Sequence, residues 1–142
     1  MRVQPDFLSA DDLAELASEV EYKEFDDPII RRLVAVLRET YPKLSTEFPS
    51  YCRVEHKLEG HPWHVDTGTS NHMMWARVTA RVLLTKPEVD FTGGGFFFAD
   101  APHDALFGYG ELMHFRSDVE HCVARHKGNR RVLLMFFGED DG

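Results

Sequence analysis

Three side chains in this sequence have the types and spacing to hold a metal ion: His64, Asp66 and His121. His64 and Asp66 flank Val65, and in a strand residues i and i+2 face the same way. An imidazole and a carboxylate would then meet at one point. A His-x-Asp step is common, and on its own it reads as an ordinary solvated pair. His121, in a separate expected strand, changes that reading. Two imidazoles and one carboxylate on one face of Fe(II) leave three coordination positions open. A chelating cosubstrate and O2 need that room. A tetrahedral zinc site would want thiolates or a further His. The only cysteines, Cys52 and Cys122, form no C-x-x-C pair. They read as buried free thiols in a reducing compartment, with a disulfide between them left open.

A second group lies at Gly128-Asn129-Arg130-Arg131, just before the apolar run from Val132 to Phe137. Strand alternation turns one arginine inward. If Arg130 points inward, so do Val132, Leu134 and Phe136. A buried guanidinium needs an anion, and its planar fork suits a carboxylate. Composition alone favours a plainer reading, in which Arg125, His126, Lys127, Arg130 and Arg131 form a solvated basic turn. The chain as a whole is acidic, with a formal charge of −8, which argues against generic nucleic-acid binding.

The elements that must position these groups are legible in outline. The 142 residues suit a single domain, 1–142, with one core. Residues 1–48 read as a helical support region. Ser9 and Asp12 have capping-box spacing, with Asp in place of the usual Glu or Gln. Asp27-Pro28 opens a second helix, whose apolar stripe is Ile29, Ile30, Leu33, Val36, Leu37 and Tyr41. This stripe could seat on a sheet or on a second copy, so oligomeric state is unreadable. Past Pro49 the texture becomes short apolar or alternating runs broken by Gly, Pro and Asp. Strands are expected near 50–57, 62–66, 75–85, 94–99, 110–115, 119–124 and 130–137, with another near 103–108. That many short strands over 49–138, in a chain with 11 Phe, predict a mainly β protein, a jelly roll or comparable sandwich, with N-terminal helices. Glu139 to Gly142 read as a frayed acidic tail. The first residues lack the apolar core of a signal peptide, and no run is long enough to cross a membrane. Cytoplasmic location is the default expectation.

The order of motifs resembles a known family. His64-Val65-Asp66 is followed by Arg77-Val78-Thr79, by Gly93 to Phe96, by G-x-L-x-x-F at Gly110, Leu112 and Phe115, by His121 and Val123, and by Gly128 and Arg130. Each piece is weak, but the ordered series over residues 50–137 is similar to the 2-oxoglutarate- and Fe(II)-dependent oxygenases, in their prolyl-hydroxylase-like branch. The resemblance implies a double-stranded β-helix (jelly roll, cupin-like) packed against two helices. It implies Fe(II) held by His64, Asp66 and His121, with 2-oxoglutarate as cosubstrate and O2 as oxidant. Arg130 would bind the far carboxylate of the cosubstrate, with Arg131 as the fallback if the strand register slips by one. Thr79 would line the cosubstrate pocket and Val123 would form its wall. Succinate and CO2 would be coproducts, and the substrate a small molecule or a peptide, proline included.

Two positions depart from the family pattern. Arg81 shares the face of Thr79, where relatives carry an apolar residue, and Leu83 stands where they often place a cosubstrate-holding Tyr. Arg81 could be a second carboxylate clamp, a substrate-recognition group or an outward residue beyond a bulge. His61 could sit behind the metal or in a loop, Trp63 and Trp75 read as core or rim, and Tyr51 could reach the pocket. Residues 71–75 could form a substrate-facing loop. Two rival functions remain: a cupin-type metalloenzyme that does not use 2-oxoglutarate, and a non-catalytic jelly-roll binding module.

Overall fold

The structure, a computed structural model, describes residues 2–4, 8–17, 22–47, 49–56, 58–68, 73–105 and 108–140, with the backbone alone at 2–4, 22–23 and 102–103. It is mainly β, with two helices and three antiparallel sheets. In chain order the elements are β1 (Arg2–Gln4), α1 (Ala10–Ala17), β2 (Tyr22–Lys23), α2 (Pro28–Thr40), β3 (Leu44–Ser45), β4 (Tyr51–Glu55), β5 (His61–His64), β6 (Val78–Leu83), β7 (Phe91–Gly93), β8 (Phe96–Phe98), β9 (Ala101–Asp104), β10 (Leu112–Arg116), β11 (His121–Val123), β12 (His126–Gly128) and β13 (Val132–Glu139).

Both helices begin as their sequences dictate. Ser9 and Asp12 bond reciprocally, each side chain accepting from the other's backbone N–H, at 3.1 and 3.4 Å. The shorter Asp therefore closes a capping box. Asp27 accepts from Ile29 and Ile30 N–H ahead of α2, and Pro28 occupies the first turn, where its missing N–H costs nothing. Asp12 also pairs with Arg32 at 2.7 Å, tying α1 to α2. The buried stripe of α2 is Ile29, Ile30, Leu33, Val34 and Leu37, with Val36 only partly covered.

The large sheet runs β1-β10-β6-β13-β4-β2, and β3 joins it on β13. Residues 1–48 are thus not purely helical. They contribute β1 and β2, which form the two edges of the sheet that later strands build, and β3, which pairs with the end of β13. Two-residue and three-residue strands carry too little periodicity to be read in advance.

Alternation divides the sheet sharply. Leu133, Met135 and Phe137 of β13, with Val78, Ala80 and Val82 of β6 and Leu112 of β10, face the helices. Val132, Leu134 and Phe136, with Leu83, Met113 and Phe115, face the other way. There they meet Phe91, Phe96, Phe98 and Val123 from the smaller sheets, β5-β11-β8-β9 and β12-β7. This is the jelly-roll-like sandwich, and its inner space is where the site lies.

Three further expectations need correction. The strand expected over 94–99 is β8, shortened to Phe96–Phe98, and an unexpected strand, β7, precedes it across Gly93 and Gly94, whose φ of +79° and +73° is a conformation glycine alone adopts freely. The basic stretch 125–131 is not a solvated turn. It contains β12, with His126 and Arg130 buried among exposed or half-buried neighbours. The end of the chain is ordered through Glu139, which closes β13 and bonds Arg116 at 2.5 Å. Residues 141–142 lie outside the described residues. Cys52 and Cys122 are not joined in a disulfide; the first is buried and the second half-buried. No described helix is long and apolar enough to cross a membrane.

Candidate metal centre

His64 and His121 stand directly opposite each other on paired strands β5 and β11. Their ring centroids are 4.3 Å apart. Asp66 reaches the same point by a route the alternation rule does not supply. β5 ends at His64, and Asp66 lies in the following bend, where its N–H donates to Ser117 O at 2.9 Å. The potential ligand atoms of the three residues all fall within 4.8 Å of one another. Asp66 Oδ1 is 3.3 Å from His64 Nε2 and 3.4 Å from His121 Nε2.

Each donor is held from behind. His64 Nδ1 lies 2.6 Å from Pro62 O, and His121 Nδ1 lies 2.9 Å from Val119 O. A carbonyl can only accept, so each Nδ1 carries the proton and each Nε2 presents its other valence to the cluster. Thr79 Oγ1 donates to Asp66 Oδ2 at 2.9 Å and also meets Ser117 Oγ, which leaves Oδ1 turned toward the imidazoles. His121 is fully buried, and its Nε2 has no hydrogen-bond partner. The Asp66 contact is too poorly aligned to serve as one. An orphaned, buried nitrogen aimed at a carboxylate oxygen and a second imidazole is what a bound divalent metal would satisfy, and the two-nitrogen, one-oxygen donor set suits Fe(II).

The electrostatics agree. Burial would raise the Asp66 carboxyl, but the adjoining His121 and His64 imidazoles outweigh it and hold it well below the usual carboxylate range. Asp66 in turn raises His64. Around His121 the shell is aromatic: Phe96 stacks on it at 5.2 Å and 14°, and Phe115 meets it edge-on at 4.9 Å. Such a wall limits water and keeps local charges strong.

The remaining expected residues fall in distinct places. Arg130 points inward and is buried. Its guanidinium lies 5.8 Å over Phe91, and it lines a cavity of about 190 Å³ with Leu83, Phe96 and Asp104. Gly94 makes room for it, since a Cβ there would come within 2.6 Å of Arg130 Cδ. Burial and the charge of Arg81 lower Arg130 to about 10. Arg131 turns to the helix side, where its Nη1 donates to Ala17 O at the end of α1. Val123 is a buried wall residue of the inner cluster. Thr79 touches the metal cluster through Asp66, which makes it a positioning group for the carboxylate. Arg81 is inward and buried, so no bulge turns it outward.

His61 does not join the cluster; its Nε2 bonds Glu55 Oε1 at 3.0 Å. Trp63 is 53% exposed, a rim residue, and Trp75 packs edge-on against Tyr51, which belongs to the inner cluster. Of the loop expected at 71–75, residues 71 and 72 lie outside the described residues. Two contributors were not legible in advance: Ser117 and Glu55. Ser117 carries no motif. Glu55 shows itself only through its partners, His61 and Arg53.

No protein-family model matches the chain, and no curated protein matches it. Solved structures do. A Pseudomonas putida prolyl-4-hydroxylase aligns over 98% of this chain and 92% of its own, with 21% identity and a TM-score of 0.68. The viral collagen prolyl hydroxylase of Paramecium Bursaria Chlorella virus-1, solved with 2OG, aligns over 98% and 96%, with 14% identity and a TM-score of 0.73. A 2OG-Fe(II) oxygenase family oxidoreductase from Burkholderia pseudomallei aligns over 99% and 84%, with 15% identity and a TM-score of 0.59. The chain therefore shares the fold of these enzymes along nearly its whole length.

Proposed function

We propose that this protein is a non-haem Fe(II)- and 2-oxoglutarate-dependent oxygenase of the prolyl-hydroxylase-like branch, built on a double-stranded β-helix, that hydroxylates a peptidyl or small-molecule substrate. The observation that carries the reading is the convergence of His64 Nε2, His121 Nε2 and Asp66 Oδ1, each with its other polar atom engaged from behind. The fold shared with prolyl hydroxylases supports it, though fold alone does not assign chemistry.

In this reading His64, Asp66 and His121 hold Fe(II), and Arg130 holds the far carboxylate of 2-oxoglutarate. The iron and cosubstrate together would supply oxidative decarboxylation, yielding succinate and CO2, coupled to hydroxylation of a C–H bond. The protein's own work is positional. Pro62 and Val119 carbonyls fix the imidazole tautomers, Thr79 and Ser117 orient the Asp66 carboxylate, and Phe96, Phe98 and Phe115 keep the centre dry. Val123 forms part of the pocket wall. A prolyl peptide is the first substrate to test, since two neighbours in fold act on prolyl groups by name, with free amino acids next. The default location remains cytoplasmic.

The test is succinate formation from 2-oxoglutarate in the presence and absence of Fe(II), across a panel of proline-containing peptides and free amino acids. Iron-dependent succinate that rises with one substrate is expected. Iron-independent turnover, or succinate retained in Asp66→Ala, would contradict the assignment.

A further inference from the structure

The inner face holds two buried arginines, and the proposed cosubstrate role uses only Arg130. Arg81 sits in the middle of β6, paired with Met113 on one side and Leu134 on the other. It is 3% exposed, and its Nε and Nη2 have no hydrogen-bond partner. A guanidinium fork buried this way is costly unless something anionic completes it.

Among the described residues no carboxylate completes it. Glu55 and Asp66 are the acidic groups whose charge acts favourably on Arg81, against repulsion from Arg53. Glu55 gives Oε1 to His61 at 3.0 Å and Oε2 to Arg53 at 3.3 Å. Asp66 gives Oδ2 to Thr79, and its Oδ1 faces the two imidazoles. Arg81 is thus held in an attractive field by carboxylates that bond elsewhere. Its guanidinium also lies over the face of Phe96, 4.9 Å from the ring centroid.

Its position relative to the metal cluster is also defined. Arg81 is two residues along β6 from Thr79, which bonds Asp66, a step of roughly 7 Å at the strand rise. Phe96, beneath its guanidinium, stacks on His121. Arg130 enters from the far end of β13, over Phe91 and against Gly94. The inner face thus offers two cationic forks at different depths, one beside the metal cluster and one beyond it.

We propose that Arg81 is a second carboxylate clamp, binding the metal-side carboxylate of a 2-oxo acid while Arg130 holds the far carboxylate. This inference rests on the oxygenase reading. The two arginines divide the work: Arg81 serves any 2-oxo acid bound at the metal, and Arg130 serves only those with a second carboxylate. A site with both clamps would select 2-oxo dicarboxylates by two separate contacts.

The test is calorimetric titration of 2-oxoglutarate and of 2-oxobutyrate, which lacks the far carboxylate, into Mn(II)-loaded wild type, Arg81→Leu and Arg130→Leu. Melting temperatures are measured alongside. Arg81→Leu should weaken both ligands about tenfold to a hundredfold, the range for losing charge-assisted hydrogen bonds. Arg130→Leu should weaken 2-oxoglutarate alone. Arg81→Leu should keep the Mn(II) affinity of wild type, and its ligand-free melting temperature should hold or rise, because an unpaired buried charge has been removed. Unchanged 2-oxobutyrate binding in folded Arg81→Leu would overturn the proposal. If Arg81→Leu does not fold, Arg81→Lys decides. Weaker binding of both ligands supports the fork, and unchanged binding overturns it. If wild type with Mn(II) binds neither 2-oxo acid, the oxygenase reading fails, and a metal-free sulfate titration then judges Arg81 separately. Sulfate that stabilises wild type but not Arg81→Leu keeps the anion clamp, and equal effects on both remove it.

Discussion

The two faces of the large sheet are made by the same strands, yet they treat buried polar groups in opposite ways. On the helix side the buried polar groups have partners. Buried His114 meets the Tyr41 hydroxyl at 2.9 Å, and half-buried Arg131 reaches the Ala17 carbonyl and the Asn129 side chain. On the inner side Arg53 Nε, Arg81 Nε and Nη2, His121 Nε2 and both His126 ring nitrogens are buried without a hydrogen-bond partner. Among the described residues every such orphan lies on this side. Folding alone would not keep these groups there, because an unsatisfied buried polar atom costs about 1–3 kcal/mol. The helix side supplies stability, and the inner side gives some of it up in donors and cations that, in the proposed reading, serve ligands.

That contrast can be broken by substitution. The largest effect is expected from Asp66→Ala, which removes the shared carboxylate. Metal affinity should fall more than ~100-fold, beyond the range typical of losing an outer partner, while circular dichroism stays native. Metal binding at wild-type strength would dissolve the distinction between the faces. Next in size is Leu133→Ala on the helix side, where the side chain is fully buried. It should cost about 2–5 kcal/mol in denaturant unfolding and leave metal affinity nearly unchanged; a large loss of metal binding would show that the faces are not separable. Thr79→Val keeps the volume but removes the hydroxyl that orients Asp66. Metal affinity should drop roughly 10–100-fold with a smaller change in melting temperature, and an unaltered affinity would strip Thr79 of its positioning role.

The smallest effect concerns Glu55. Burial would raise its carboxyl, but the His61 hydrogen bond and the charges of Arg81, His61 and Arg53 hold it at about 2, against an ordinary 4.5. A depressed carboxyl contributes stability that is fully present above its unfolded value and is lost as pH falls through the folded one. The stability gap between wild type and Glu55→Gln should therefore be constant above pH 4.5 and narrow as pH drops toward 2. A gap independent of pH would mean that Glu55 acts through packing.

Much of this was legible in the sequence where periodicity is long. β13 and α2 carry enough apolar repeats to declare their inward faces, and inward Val132, Leu134 and Phe136 brought Arg130 inward with them. The capping pairs at Ser9 and Asp27 were equally readable, because capping is local chemistry. β1, β2 and β3 were not, since strands of two or three residues are defined by the partner they pair with. At the site, His64 and His121 were readable as types in order. The way Asp66 joins them was not, because a bend held by Ser117 replaces strand alternation. Arg81 was visible as a departure from pattern, but its lack of a hydrogen-bond partner was not, because it depends on Glu55 and Asp66 bonding elsewhere.

The central claim is that the inner face binds 2-oxoglutarate through a metal held by His64, Asp66 and His121. Calorimetric titration of 2-oxoglutarate into the protein, once metal-free and once loaded with Mn(II), tests it most directly. The account predicts saturable binding only with the metal present, abolished in Asp66→Ala. Equal binding with and without metal, or no binding in either state, would contradict it.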